Sequence, residues 1–305
     1  MSSTAIILIL VAAAAHASWN LFGKQAAATG AVYFTWLLAA GATCLYLPVA
    51  VGAILVTRPH LGMANWVFLA GTGLLHSGYF LFLQLGYGRG DLSVAYPIGR
   101  GTGALLAAAA GVVLLGERPS PVAAAGIVAI IAGVVVIGMP SRRAAPPGPA
   151  TVTAPPEHVA AGSAQGTRAI LFALVTGVFI ACYTLWDKYA VSSLHTPALV
   201  QGYAGFPVMV LLFLPFVLRD RTRLAGVWRA FRPQVLGGAV LAPLAYMLVL
   251  IALSFTAVSA VAPAREISVL FGVLLGRRLL GEGHLARRLA AGAAIVAGII
   301  AIAAG

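Results

Sequence analysis

Long apolar runs broken by short polar stretches dominate the chain. The runs are about 20 residues long and lack period-2 alternation, so they predict membrane helices rather than barrel strands. Taken in order, they predict spans at Thr4–Phe22, Val32–Val56, Trp66–Tyr87, Ser93–Leu115 and Pro121–Met139. A second series follows at Ala169–Ala190, Ala198–Leu218, Gln234–Leu253, Val258–Leu275 and Leu289–Ala304. Between the two series, Pro140 to Thr167 is rich in Pro, Ala, Gly and Ser and has no periodicity. It reads as a flexible linker.

The two series repeat one pattern. Leu114-Leu115-Gly116-Glu117 recurs as Leu279-Leu280-Gly281-Glu282, 165 positions later, and Arg100 falls on Arg265 at the same offset. The two lysines, Lys24 and Lys188, lie 164 apart. Such matches in a chain with few charges indicate an internal duplication. The expected division is a first repeat at 1–139, a linker at 140–167 and a second repeat at 168–305. Five spans per repeat is an odd number, so the halves enter the membrane in opposite directions. The expected fold is therefore an all-α integral membrane protein of ten helices in two inverted five-helix repeats.

Composition agrees. Of 305 residues, 61% are hydrophobic and only 9% charged, against roughly a quarter charged in a soluble domain. The net charge of +12 is no nucleic-acid footprint, because the basic residues sit in short loops, as topology signals do. Alternate loops carry Lys/Arg in a ratio of 14 to 3. The richer side holds Lys24, Arg89, the arginines from Arg219 to Arg232, and Arg277 to Arg288. By the positive-inside rule that side is cytoplasmic and both termini lie outside, in a cell (inner) membrane. Cys44 and Cys182 lie in apolar runs without CxxC spacing, which argues against a disulfide framework or zinc site. No basic n-region precedes the first run, so no cleaved signal peptide is expected. Glycines 86, 88 and 90 do not form a nucleotide loop.

The stretch His16-Ala17-Ser18-Trp19-Asn20 with Lys24, and the two Leu-Leu-Gly-Glu stretches, each followed by a Gly/Ala-rich helix (Gly126, Gly133; Gly292, Gly298), carry a resemblance. The chain resembles the drug/metabolite transporter superfamily, specifically its EamA-type family with two five-helix repeats. That resemblance implies a secondary transporter, often an exporter of small metabolites or drugs, with a cavity between the halves. It implies no single substrate.

Intramembrane polar groups supply the candidate site. Arg100 and Arg265 each lie about seven residues into a span, where a charge costs about 2.5 kcal/mol or more unless it meets a cavity or a partner. Pro97 and Pro263 precede them, and helix breaks of this kind mark transporter sites. The functional reading is a pair of cations for an anionic substrate. The alternative is snorkelling, or pairing with an acid such as Asp91 or Glu266. Glu266 fits proton carriage and arginine neutralisation equally. His16 is a second proton-relay candidate, with Trp19 and Asn20 on its helix face. His76 could relay protons or simply pack. Tyr183 and Thr184 hold the places of Trp19 and Asn20 in the second half. Together with Tyr79, Gln84, Tyr96 and Tyr246 these residues could line an aromatic, polar cavity. Lys24 and Lys188 end equivalent spans and read as interfacial anchors, or as a gate. Glu117 and Glu282 read as structural acids at helix N-termini.

The expected partners are a small-molecule substrate and the lipid bilayer, with no cofactor, no metal and no nucleic acid, in a monomer or homodimer. Two alternatives remain: a membrane enzyme acting on lipid, although the acids and histidines are scattered, and a gated channel.

Overall fold

The computed structural model describes residues 1–87, 92–138, 156–268, 271 and 285–304. The side chains of Lys24, 27–29, Ala31, Tyr87, 92–97, 137–138, 156–166, 285–289, Ala291 and Ala303 lie outside the description. The described residues are helical throughout, apart from short turns. The helices are α1 (Ser3–Thr57), α2 (Met63–Tyr87), α3 (Leu92–Leu114), α4 (Pro121–Gly138), α5 (Pro156–Ser192), α6 (Ala198–Leu218), α7 (Arg221–Phe255), α8 (Val258–Ala264) and α9 (Leu285–Ala304).

Two of these are pairs of helices run together. α1 breaks at Gly30, whose φ of 156° suits glycine alone. A Cβ on Gly23 would lie 3.8 Å from the Phe34 ring, 11 residues on. A straight helix would hold those residues about 16 Å apart, so the chain doubles back at Gly30. α7 breaks at Phe231, just before Pro233, which cannot donate in the helical ladder. Its first part, capped by Asp220, is the short Arg-rich stretch expected to be a loop. It buries Val227 and keeps its arginines exposed.

Six segments are long and apolar enough to cross a membrane: Ser3–Gly23, Val32–Thr57, Met63–Gly86, Thr167–Ser192, Ala198–Leu218 and Arg221–Phe255. Ile98–Leu114, Pro121–Val136 and Gly292–Ile302 are shorter apolar helices. The protein is thus an all-α, multi-span membrane protein. Its outward faces show Ile7, Val56, Val113 and Ile300, each more than half exposed. A water-facing surface of this kind would aggregate, whereas lipid accepts it. α5 begins at Pro156, within the stretch read as linker. Residues 139–155 lie outside the described residues, as does the expected span 9 beyond Ser268, apart from Phe271.

The halves interlock rather than sit side by side. The most extensive packing pairs α1 with α7, α4 with α9, α3 with α5 and α2 with α5, and every one of these pairs joins the two halves. Glycines allow the close approach. A Cβ on Gly126 would lie 2.5 Å from the Gly298 carbonyl oxygen, and a Cβ on Gly298 would lie 2.5 Å from that of Gly126. Two backbones in direct contact are the usual solution where lipid gives helices no hydrophobic reason to associate.

Glu117 acts at a helix start, as expected for a structural acid, but not at its own. Its carboxylate accepts from the amides of Val258 (2.7 Å) and Ser259 (2.8 Å), 141 and 142 residues away. It caps α8 and ties the loop of one half to the broken helix of the other. Glu282 lies outside the described residues.

Candidate functional site

α8 ends at Arg265, where a proline two residues earlier weakens the ladder. Residues 265 and 266 form a turn there, and Arg265 and Glu266 are buried, 5% and 0% exposed. Glu266 meets Arg100 of α3. Arg100 Nε donates to Glu266 Oε2 at 3.0 Å, and Nη2 stands 2.9 Å from Oε1. Of these two contacts the one from Nε is a hydrogen bond, and the other is an ion-pair contact. Arg100 also donates to Ser268 Oγ at 3.2 Å and faces His16 Nε2 at 3.1 Å. The pairing alternative raised for the arginines is therefore the geometry observed for Arg100, and Glu266 neutralises an arginine on another helix.

Arg265 is placed differently. Its Nε lies 3.8 Å from Glu266 Oε1 and makes no hydrogen bond, and its Nη2 reaches Thr184 Oγ1 only at 3.4 Å. Its guanidinium lies over the Tyr183 ring, 5.7 Å from the centroid. Two guanidiniums share one carboxylate, and Arg265 has the longer contact.

Arg265 borders open space. A cavity of about 320 Å³ is lined by Ala12, Ala13, His16, Arg100, Tyr183 and Arg265, among others. A larger cavity of about 500 Å³ adjoins it, and His16, Tyr183 and Tyr246 line both. The larger one is walled by Trp19, Tyr79, Phe80 and Phe206, with His76, Thr72 and Gln201 as its polar groups. The aromatic groups brace one another. Tyr183 stacks on His76 at 4.2 Å, and Tyr246 meets His76 edge-on at 4.7 Å. Trp19 tilts against Phe80 at 5.5 Å.

His16 accepts from Trp19 Nε1 at 3.2 Å and faces the Arg100 donor. Both ring nitrogens thus face donors, although a neutral imidazole accepts at only one of them. Asn20 donates to the His16 carbonyl at 2.8 Å and does not line either cavity. Gln84 borders a separate cavity of about 190 Å³. Lys188 donates to the carbonyls of Leu253 (2.8 Å) and Thr256 (3.0 Å), satisfying the end of α7. The side chains of Tyr96 and Lys24 lie outside the description, as does Asp91. Among the described residues no group of three His, Cys, Asp or Glu could hold a metal.

Asp187, Thr72 and Gln201 were not expected from the sequence. The Asp187 carboxylate, fully buried, accepts from Thr72 Oγ1 at 3.0 Å, from Gln201 Nε2 at 2.7 Å and from the Tyr246 hydroxyl. The available signal was an acid in an apolar run whose counterpart, at the 164 offset that pairs Lys24 with Lys188, is Gly23.

The structure is thus that of a polytopic membrane protein with an aromatic cavity lined by residues of both halves. The chain belongs to the EamA-like transporter family, whose family model matches residues 3–139 and again 167–304. Members of that family are membrane transporters of the drug/metabolite type. No curated protein matches the chain. Solved structures do match. One, titled only "Crystal structure of protein", shares 19% identity over 99% of this chain and 96% of its own, with a TM-score of 0.69. At that identity the likeness shows the fold alone.

Proposed function

We propose that the protein is a secondary transporter that carries a small organic anion with an aromatic or apolar body by alternating access. The observation that carries this reading is Arg265, a buried guanidinium whose Nε has no hydrogen-bond partner, in the wall of the 320 Å³ cavity that adjoins the aromatic one. Aromatic walls with a few convergent polar groups suit a small organic ligand. An intramembrane charge without a full counter-ion gains most when the substrate supplies one. In this reading Arg265 contacts the anionic group, Tyr183 holds the guanidinium from one side, and Trp19, Tyr79, Phe80 and Tyr246 enclose the body. Arg100 positions His16 and Glu266 and does not itself bind substrate. Two inverted repeats, 1–139 and 168–305, would rock about the fixed site. The loop charge bias places the termini outside the cell membrane.

Thermal-shift measurements test the site. Benzoate and indole-3-carboxylate are compared with their uncharged amides, in wild type, Arg265→Ala and Arg265→Lys. A ligand that binds the folded state raises its apparent stability by mass action. The carboxylates stabilise wild type, the amides do so less, and Arg265→Ala loses the difference. Equal responses to acid and amide would remove the anion site.

A further inference from the structure

Asp187 carries a charge that anion binding does not use. Its carboxylate is 0% exposed, and four helices meet on it: α5 bears it, α2 sends Thr72, α6 sends Gln201 and α7 sends Tyr246. All three donors are also wall residues of the 500 Å³ cavity. Among the described side chains, no Lys, Arg or His nitrogen lies within 4.0 Å of it. The charged and titratable groups around it are accounted for. His76 of α2 bonds to the Thr72 carbonyl (2.9 Å) and hydroxyl (3.1 Å), not to the acid. Lys188, its neighbour in sequence, turns to the carbonyls of Leu253 and Thr256. Arg265 lies over Tyr183, and Arg100 is engaged by Glu266. α6 presents the neutral Gln201, and α7 presents the Tyr246 hydroxyl.

The Thr72–Asp187 bond joins the halves, and it does not act alone. Trp186 Nε1 donates to the Phe68 carbonyl at 2.9 Å, and Gln201 Nε2 reaches the same oxygen at 3.3 Å. Asn65 Nδ2 donates to Thr196 Oγ1 at 2.9 Å and to the Leu194 carbonyl at 3.2 Å. Phe68 stacks on Trp186 at 4.1 Å. These contacts close the end of the molecule that carries loops 58–62 and 193–197. Opening that end requires α2 to part from α5 and α6.

We infer that Asp187 is the proton-binding site of this transporter, and that its carboxylate clamps α2 to α5, α6 and α7 until a proton arrives. This rests on the transporter reading above. The proton binds a carboxylate oxygen, the group goes from one negative charge to none, and the proton leaves by the reverse step to the other side. A charged acceptor makes hydrogen bonds roughly twice as strong as a neutral one. Proton uptake therefore weakens three bonds at once, including the one across the halves. His16, by contrast, faces donors at both ring nitrogens, one of them the Arg100 guanidinium, and Glu266 is held by Arg100.

Spin labels on either side of the clamp test this with the proton as the only ligand. Met63 and Ser193 are exposed at the closed end. Both are replaced by Cys in a Cys44→Ser, Cys182→Ser background, labelled, and reconstituted in phosphatidylethanolamine–phosphatidylglycerol vesicles. Lowering the pH from about 8 to about 5, across the range a carboxyl in a protein interior can cover, shifts the interspin distance to longer values. Asp187→Asn gives the longer distance at every pH, and Asp187→Glu restores a pH response. Should Asp187→Asn fail to fold, Thr72→Val and Tyr246→Phe each remove one donor and move the midpoint to higher pH. A pH-independent distance in the reference protein, a retained shift in Asp187→Asn, or the same shift produced by sodium ion at constant high pH would overturn the inference. A pH response without carboxylate binding keeps this site and removes the anion site, while carboxylate binding without a pH response does the reverse.

Discussion

Arg100 and Glu266 face each other across the two halves, with Nε to Oε2 at 3.0 Å and Nη2 to Oε1 at 2.9 Å, both nearly inaccessible. Removing one partner of such a pair leaves a buried charge alone and costs about 3–5 kcal/mol, whereas replacing both with apolar residues is often neutral. Glu266→Leu strands both Arg100 and Arg265 and should lower the melting temperature in detergent sharply, Arg100→Met leaves Glu266 to Arg265 and should lower it less, and the double variant should recover part of the Glu266→Leu loss. A double variant as unstable as the sum of its parents would contradict the pairing.

The reciprocal contact of Gly126 and Gly298 makes a second prediction. A methyl group at either position meets the opposing carbonyl at 2.5 Å, so α4 and α9 must separate. Gly126→Ala and Gly298→Ala should each cost about 1–3 kcal/mol. Gly52 is the control, because a Cβ there meets nothing within 4 Å. Gly52→Ala should be neutral or stabilising by about 0.5–1 kcal/mol, since alanine restricts the unfolded chain. Chemical denaturation in mixed micelles separates the two classes.

Glu117 satisfies two amides of α8 that otherwise lack partners. Glu117→Ala should destabilise by about 1–2 kcal/mol, as loss of a helix cap does. Glu117→Gln, which keeps one acceptor, should cost less. Faster hydrogen exchange at Val258 and Ser259, with slow exchange retained in α4, would locate the effect.

Asp220 gives a pH dependence outside the membrane spans. It caps α7 by accepting from the Arg223 amide at 2.9 Å and the Thr222 hydroxyl at 2.7 Å. The hydrogen bond from the Arg223 amide, then that from Thr222, hold its carboxyl below the usual value of 3.8. A folded-state value below the unfolded one means the cap contributes at pH above 3.8 and is lost as pH falls through the lower folded value. Exchange at the Arg223 amide should therefore stay protected at neutral pH, rise in acid, and be fast at every pH in Asp220→Ala.

The two-part pattern and most spans were legible because apolar runs of membrane length are a one-dimensional signal. The breaks at Gly30 and Phe231 marked helix ends, but the Arg-rich start of α7 escaped, since its helicity rests on the Asp220 cap and on burial of Val227. His16, Trp19, Tyr79, Tyr183 and Tyr246 line one cavity. Sequence could not tell which arginine Glu266 serves, because Arg100 lies 166 residues away. Asp187 was passed over because Lys188 stands beside it. A helix points those neighbours about 100° apart, and they serve different partners. Thr72 and Gln201 carry no signal until three helices bring them to one carboxylate.

Exchange flux tests the central claim most directly. Vesicles containing the protein are preloaded with unlabelled benzoate or indole-3-carboxylate, and entry of the labelled compound is followed in wild type and in Arg265→Ala. The account predicts saturable entry, accelerated by substrate on the far side and reduced at least about tenfold in a folded Arg265→Ala protein, the loss of about 1.4 kcal/mol or more of interaction. Unsaturable flux indifferent to substrate on the far side would mark a channel. Chemical alteration of the compound would mark an enzyme. Unchanged exchange in Arg265→Ala would contradict the anion site.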